Sequence, residues 1–301
     1  MFDASFLSHL QDTLGKISQN QGISKPGLYL IGTPIGNLAD ITLRGLAALQ
    51  SVDVLFCEDT RVTHTLLKAY GLTKITRPYH AHNENRMGET ILSLITEGKA
   101  VGLVSDAGLP LISDPGFSVV NLCIKNGAPI TVIPGPSASL TALLMSGLSN
   151  ESFSFVGFLS TKTKERTEKL SALQSTSDTL LFYEAPHRLI KTLAFLKQVL
   201  GDRRATVCRE LTKRFEDTQR GTLSSLISFY QNQPSIKGEI VIVVEGARKE
   251  IPEADSILPL LSKVLQYLHV KEAATLVSAL TGLPRKTLYE KALTLSPERK
   301  D

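Results

Sequence analysis

Repeatedly through residues 26–147, a short unbroken apolar run is followed by a turn or a Gly/Pro-rich loop. The runs are 27–32 (GLYLIG), 52–56, 101–104 (VGLV) and 130–133 (ITVI), and segments 41–49, 60–70 and 136–145 have helical spacing. Runs this short, apolar on both alternating faces, fit strands covered on both sides. Strands of that kind alternating with helices predict a mostly parallel α/β sheet. The pattern pauses at 147–151 (GLSNE) and then resumes. Residues 153–158, 179–183, 205–209 and 239–244 read as further strands, 189–200 and 223–231 as helices, and 162–175 as a charged helix. This predicts two α/β domains, 26–147 and 148–248. Residues 1–25 read as a short helix or a loose extension. The polar stretch 248–255 reads as a linker, and 255–301 as a small helical unit. Within it, 271–280, a Thr-Gly turn and 284–293 have helix-turn-helix spacing, and a plain helical cap fits equally.

Composition narrows the class. A 42% hydrophobic fraction is ample for a buried core, and 21% charged residues is ordinary for a globular chain. The net charge of +4 is compatible with an anionic partner but does not demand one. Cys57, Cys123 and Cys208 lie far apart and form no CxxC pair, which argues against a structural zinc site and a disulfide framework. No metal is expected. No apolar run reaches the roughly 18 residues of a membrane span, and the N-terminus lacks the order of a signal peptide. A cytoplasmic protein is expected.

Three loops follow strands, where ligands sit in open α/β sheets. The first, Gly32-Thr33-Pro34-Ile35-Gly36-Asn37-Leu38, is neither GxGxxG nor a P-loop, which weakens a nicotinamide or nucleoside-triphosphate reading. The second, 105–116 (SDAGLPLISDPG), crowds two carboxylates into one turn. Asp114 before Pro115 reads as a helix N-cap with proline at the first helical position, which leaves Asp106 for a ligand. The third, 134–139 (PGPSAS), precedes a helix whose free N–H groups can hold polar ligand atoms, although a capped helix start explains Ser137 as well.

Taken together and in order, GTPIGNLADIT, CEDTR, YHAHNE, SDAGLPLISDPG, PGPSA, GFLSTK, FYEAPHR, RELTKRFE and KGEI resemble the small-subunit ribosomal RNA (cytidine-2′-O)-methyltransferases of the tetrapyrrole-methylase superfamily. The resemblance runs from about Gly27 to Gly246, and the C-terminal segment is similar to that family's helix-turn-helix appendage. It implies two α/β domains of the class III methyltransferase type with S-adenosylmethionine bound in the cleft between them. It implies a homodimer, and 16S ribosomal RNA or the small subunit as the partner. Carried over by motif, the cofactor site would include Pro34, Asp106, Leu109, Ser137, Ala138, Tyr183, Leu211 and Gly238. Leu109 departs from the family's more usual threonine, so a hydroxyl contact there is absent.

Transfer to a hydroxyl also needs a proton acceptor. Glu58, Asp59, His82 and Glu84 are candidates, because CEDTR and YHAHNE are polar patches after strands or turns. Glu58 and Asp59 could equally cap the helix from Thr60, and His82 could be structural. Arg61, Arg86, Lys162, Arg166 and Arg188 are the candidate RNA contacts, although the lysine-rich stretch 162–169 fits a solvated helix face as well. Two rivals remain: a methyltransferase acting on a corrin or sirohaem precursor, and a helix-turn-helix regulator with a degenerate enzyme domain. The intact set of loops argues against the second.

Overall fold

The computed structural model describes residues 4–21, 23, 25–247 and 256–295. The expected linker 248–255 lies outside the described residues. The chain divides into two compact units, 1–246 and 247–301.

The first unit opens with helix α1 (Ala4–Gln21). Then follow β1 (Gly27–Ile31), α2 (Leu43–Ser51), β2 (Val54–Cys57), α3 (Thr60–Ala69), β3 (Thr76–Pro78), α4 (Glu84–Thr96), β4 (Ala100–Val104), α5 (Phe117–Lys125), β5 (Ile130–Ile133) and α6 (Ala138–Ser146). The five strands form one sheet in the order β3-β2-β4-β1-β5, and every pairing in it is parallel. Strands β1, β2 and β4 are buried along their whole length, because helices cover both faces. One face packs Ile31, Leu55 and Val104 against residues of α2 and α3; the other packs Leu28, Phe56 and Leu103 against Ile91, Val119 and Cys123. That double cover is why these strands read as continuous apolar runs.

Residues 4–21 take the helical alternative. Leu10, Leu14 and Ile17 recur at helical spacing and join the core beside α2. Ser18 Oγ meets Ser51 Oγ at 2.5 Å, and Gln11 donates to Gly71 O at 2.9 Å.

The second sheet is built from β6 (Phe153–Phe158), β7 (Thr179–Glu184), β8 (Arg204–Arg209), β9 (Asp217–Thr222) and β10 (Ile240–Val244), in the order β6-β7-β10-β8-β9. Only β6-β7 is parallel; the other three pairings are antiparallel. Helices α7 (Thr163–Ala172), α8 (Leu189–Leu200) and α9 (Leu223–Gln231) supply residues to the core on one face. Ala142 and Leu143 of α6 pack on the other, against Leu181, Cys208, Val241 and Val243. Helix α6 therefore belongs by sequence to the first sheet and by packing to the second.

Edge strands β3 and β9 carry no apolar signal. Strand β3 is three residues ending in proline, and β9 (DTQRGT) is half-exposed and polar. Both are edge solutions that blunt further pairing. Helices α4 and α5 were likewise not among the expected elements.

The second unit holds α10 (Leu258–Val264), α11 (Val270–Thr281) and α12 (Arg285–Leu295) around Leu261, Ala273, Ala274, Val277, Leu288 and Ala292. Gly282 ends α11 in the left-handed conformation (φ 74°), as a helix C-terminus favours.

Candidate active site

A cavity of about 410 Å³ opens where the loops after β1, β4 and β5 meet the second sheet. On the second sheet, the ends of β7 and β8 and the start of β10 form its wall; β10 runs antiparallel to both, so all three meet at one sheet edge. Ile35, Leu109, Ile112, Leu211 and Val241 make it largely apolar, and Asp106, Asp114, Glu184 and Glu239 bring carboxylates to it.

The loops are held by backbone. Thr33 and Gly108 exchange amide hydrogen bonds of 2.8 and 3.2 Å, which joins the first loop to the second. Asn37 N–H donates to Thr212 Oγ1 at 3.1 Å and so ties the first loop to the second sheet. Leu111 (φ 74°) and Ser113 (φ 69°) are left-handed and bracket Ile112; Glu210 (φ 53°) and Thr212 (φ 65°) bracket Leu211. Both bracketed residues line the cavity. Left-handed non-glycine residues cost on the order of 1–3 kcal/mol each and persist where the surroundings over-determine them. Such outliers concentrate at functional sites.

Electrostatics separates the carboxylates. Glu184 is fully buried and accepts from Ala185 N–H (2.8 Å), Thr192 Oγ1 (2.5 Å) and Arg188 Nε (3.2 Å). Glu239 shares Lys213 Nζ with Glu210, at 3.1 and 2.8 Å. Asp106 Oδ1 accepts Asp59 N–H at 3.0 Å, yet burial raises its pKa above the ordinary value. Asp114 is pushed up to about 6, first by burial and further by the charges of Glu58 and Asp106, against a lowering hydrogen bond from Ser105. Burial also raises Tyr183, whose bonds to Ser139 act in the opposite sense.

Of the cofactor residues the resemblance implies, Asp106, Leu109, Ser137, Ala138, Tyr183, Leu211 and Gly238 line this cavity. Pro34 instead lines an adjoining hollow of about 310 Å³ that shares Ile35, Asp106, Ala107 and Glu239 with it. Ser137 caps α6 and accepts from Leu140 N–H. The N-cap reading of Asp114 is corrected: α5 begins at Phe117 with Gly116 at its cap, and Asp114 faces the cavity. The chain turns at Gly116 (φ 136°), a geometry open to glycine, so the helix starts two residues late.

Glu58, Asp59, His82 and Glu84 do not line the cavity. Asp59 caps α3 and grips Arg61 through both oxygens, which holds its pKa at about 2. Burial and the neighbouring Asp106 raise Glu58. His82 is exposed, its ring 5.9 Å from that of His80, and Glu84 opens α4.

The basic residues divide. Arg61 and Lys162 are 89% and 77% exposed, paired at the surface with Asp59 and Glu165, and Arg86 is exposed. Arg166 turns inward and lays its guanidinium 3.9 Å from the centre of the Phe195 ring. Arg188 spends its donors on Glu184 and on Leu159 O (2.7 Å). Glu184, Glu239 and Ile112 line the cavity without having been singled out from sequence. Their only signal was membership in the same loops and patches.

Among the described residues no group of three or more His, Cys, Asp or Glu is placed to hold a metal, and no helix is long and apolar enough to cross a membrane. The three cysteines are buried and free.

A family profile described as Tetrapyrrole (Corrin/Porphyrin) Methylases matches residues 27–227, and one described as the RsmI C-terminal HTH domain matches 250–296. The ribosomal RNA small subunit methyltransferase I of Mesorhizobium japonicum is 43% identical over 90% of this chain and 92% of its own length. That of Escherichia coli O157:H7 is 41% identical over 92% and 98%. The uroporphyrin-III C-methyl transferase of Thermus thermophilus, solved with S-adenyl homocysteine, has the same fold at a TM-score of 0.52 and 18% identity, over 72% of this chain and 96% of that one. The chain belongs to the tetrapyrrole methylase family, and within it to the ribosomal RNA small subunit methyltransferase I proteins.

Proposed function

We propose that this chain transfers a methyl group from S-adenosylmethionine to the 2′-hydroxyl of a cytidine in 16S ribosomal RNA. The observation that carries this over a corrin or sirohaem precursor is coverage. The ribosomal RNA relatives match about 90% of the chain, and the helix-turn-helix profile falls on 250–296. The tetrapyrrole enzyme's fold matches only 72%.

The cavity suits the donor. Its volume lies within the range of about 300–1,000 Å³ common to small-molecule sites. Bound there, S-adenosylmethionine would supply a methyl group on a cationic sulfur that departs as a neutral thioether. Carboxylates at Asp106 and Glu239 favour a cation or accept hydrogen bonds from ribose hydroxyls. Ile35, Leu109 and Leu211 would exclude water from an apolar ligand surface. The N-terminus of α6 offers Ala138 and its neighbours as backbone donors. Fixing donor and acceptor in line contributes several kcal/mol to the rate.

In this reading residues 26–147 and 148–248 are the two halves that close on the cofactor. The enzyme acts in the cytoplasm as a homodimer. Exposed Phe117, Ile124, Val132, Leu140, Leu144 and Phe155 support the dimer, because they gather on α5, α6 and the open edges β5 and β6.

The test offers labelled S-adenosylmethionine and small ribosomal subunits lacking this methylation, then digests the RNA. Label in 2′-O-methylcytidine is expected. Transfer to a porphyrinogen offered in parallel, with none to RNA, would keep the family and overturn the substrate.

A further inference from the structure

We infer that Asp114 is the proton acceptor for the attacking hydroxyl, an inference that rests on the function proposed above. Four carboxylates stand at the cavity wall. Glu184 is saturated by three donors, one of them Arg188. Glu239 is mostly exposed and paired with Lys213. Asp106 already accepts an amide, that of Asp59. Asp114 has no ion pair among the described residues, and the Ser105 hydroxyl that lowers its pKa is neutral.

Its position is built. Leu111 and Ser113 hold left-handed backbone on one side, and Gly116 turns the chain on the other. A Cβ on Gly116 would lie 2.9 Å from Leu111 Cδ1, so the loop is closed on itself. From the second sheet, the β6 irregularity at Gly157 presses on the same loop: a Cβ there would sit 3.1 Å from Ser113 Oγ. A surface helix cap needs none of this.

Among the described residues, the groups that act electrostatically on Asp114 are Ser105 and Asp106 from the loop after β4, Glu58 from the end of β2 and Tyr183 from β7. Two are acidic, one is a hydroxyl and one a phenol; none is a cation. Such surroundings strengthen a carboxylate as a base, bringing it near the operating pH without removing its ability to ionise. In the step, the 2′-oxygen forms its bond to the methyl carbon as the carbon–sulfur bond breaks. The electron pair of that bond stays on sulfur, and the hydroxyl proton passes to the Asp114 carboxylate, then to solvent.

The experiment has three arms. Carbon-13 NMR follows the Asp114 carboxyl in the free protein, with the Asp114→Asn variant used for assignment. A titration midpoint near 6 is expected, and a midpoint near the ordinary 3.8 overturns the inference. Calorimetry measures S-adenosylhomocysteine binding, which Asp114→Asn should leave within roughly threefold, since a base need not hold the neutral thioether. Loss of that binding assigns Asp114 to the ligand instead and overturns the inference. Single-turnover transfer to small subunits should fall as pH drops through the Asp114 midpoint of the substrate-bound enzyme. In Asp114→Asn it should slow by roughly 10²-fold or more and lose that limb, while Asp114→Glu recovers part of the rate. A variant within a few-fold of wild type, or one that keeps the limb, overturns Asp114 while the function stands. Absence of transfer to RNA by the wild type overturns both.

Discussion

Gly32 and Gly135 press together at the carboxyl ends of β1 and β5: a Cβ on Gly32 would lie 2.8 Å from the other's Cα, and one on Gly135 would lie 2.9 Å from that of Gly32. Both contacts are backbone, so no rotamer relieves them. Gly135→Ala should cost about 1–3 kcal/mol of stability and weaken S-adenosylhomocysteine binding, because the first and third loops must spread. Gly15→Ala should act in the opposite sense. It lies within α1 with nothing near its missing Cβ, and the change should add about 0.5–1 kcal/mol. Chemical denaturation of the pair checks both signs.

Removing Glu184 strands its partners. Glu184→Ala leaves the Arg188 guanidinium and the Thr192 hydroxyl without their acceptor in a buried site. A loss of about 3–5 kcal/mol is expected. Urea denaturation should show a lower midpoint at unchanged slope, and an unshifted midpoint would mean that water replaces the carboxylate without cost.

Stability should carry the mark of Asp114. Its folded pKa of about 6 lies above the ordinary 3.8, so the folded state holds the proton more tightly. That contribution is complete below 3.8 and is lost as pH rises through about 6. The full difference corresponds to ~3 kcal/mol, and partial solvation reduces it to the order of 1 kcal/mol. Asparagine has no charge to bury. Asp114→Asn should therefore overtake the wild type in stability above about pH 6, as guanidinium melts at acid and neutral pH would reveal.

Salt dependence should sort the arginines and lysines. Arg61, Arg86 and Lys162 are exposed, and replacing one that contacts phosphate should lower the slope of log K against log salt by about 1. Arg166 packs on Phe195. Arg166→Ala should instead cost about 0.5–1 kcal/mol of folding stability and leave the slope alone. Filter binding across a salt series, paired with thermal melts, distinguishes the two groups.

If α5, α6 and the β5 and β6 edges meet a second copy, a charge among them should split the pair. Leu144→Glu is expected to sediment as a monomer with its fold intact, because Leu144 is exposed within one chain. Sedimentation of the wild type as a monomer would remove the dimer from the proposal.

Much was legible in the chain. Strands β1, β2 and β4, buried along their length, declare themselves by composition, and the loops after β1, β4 and β5 by their glycines and prolines. Cavity residue Asp106 follows, because the loop after a parallel strand sits at the ligand-binding edge of the sheet; Leu109, Ser137 and Leu211 were reached only through the family resemblance. Edge strands β3 and β9 were silent, since β3 is three residues ending in proline and β9 has a polar sequence.

The sequence by itself determined which segments become the buried strands and which loops follow them, because burial on two faces and backbone freedom are written in local residue types. Only the tertiary structure decided what each charged side chain does there. Asp114 looks like a cap until Gly116 moves the helix start. Arg166 looks like an RNA contact until Phe195, distant in sequence, arrives beneath it. Arg188 looks free until Leu159 O and a buried Glu184 take its donors. A long side chain goes to the partner that folding brings within reach, and that distance is set by packing between elements.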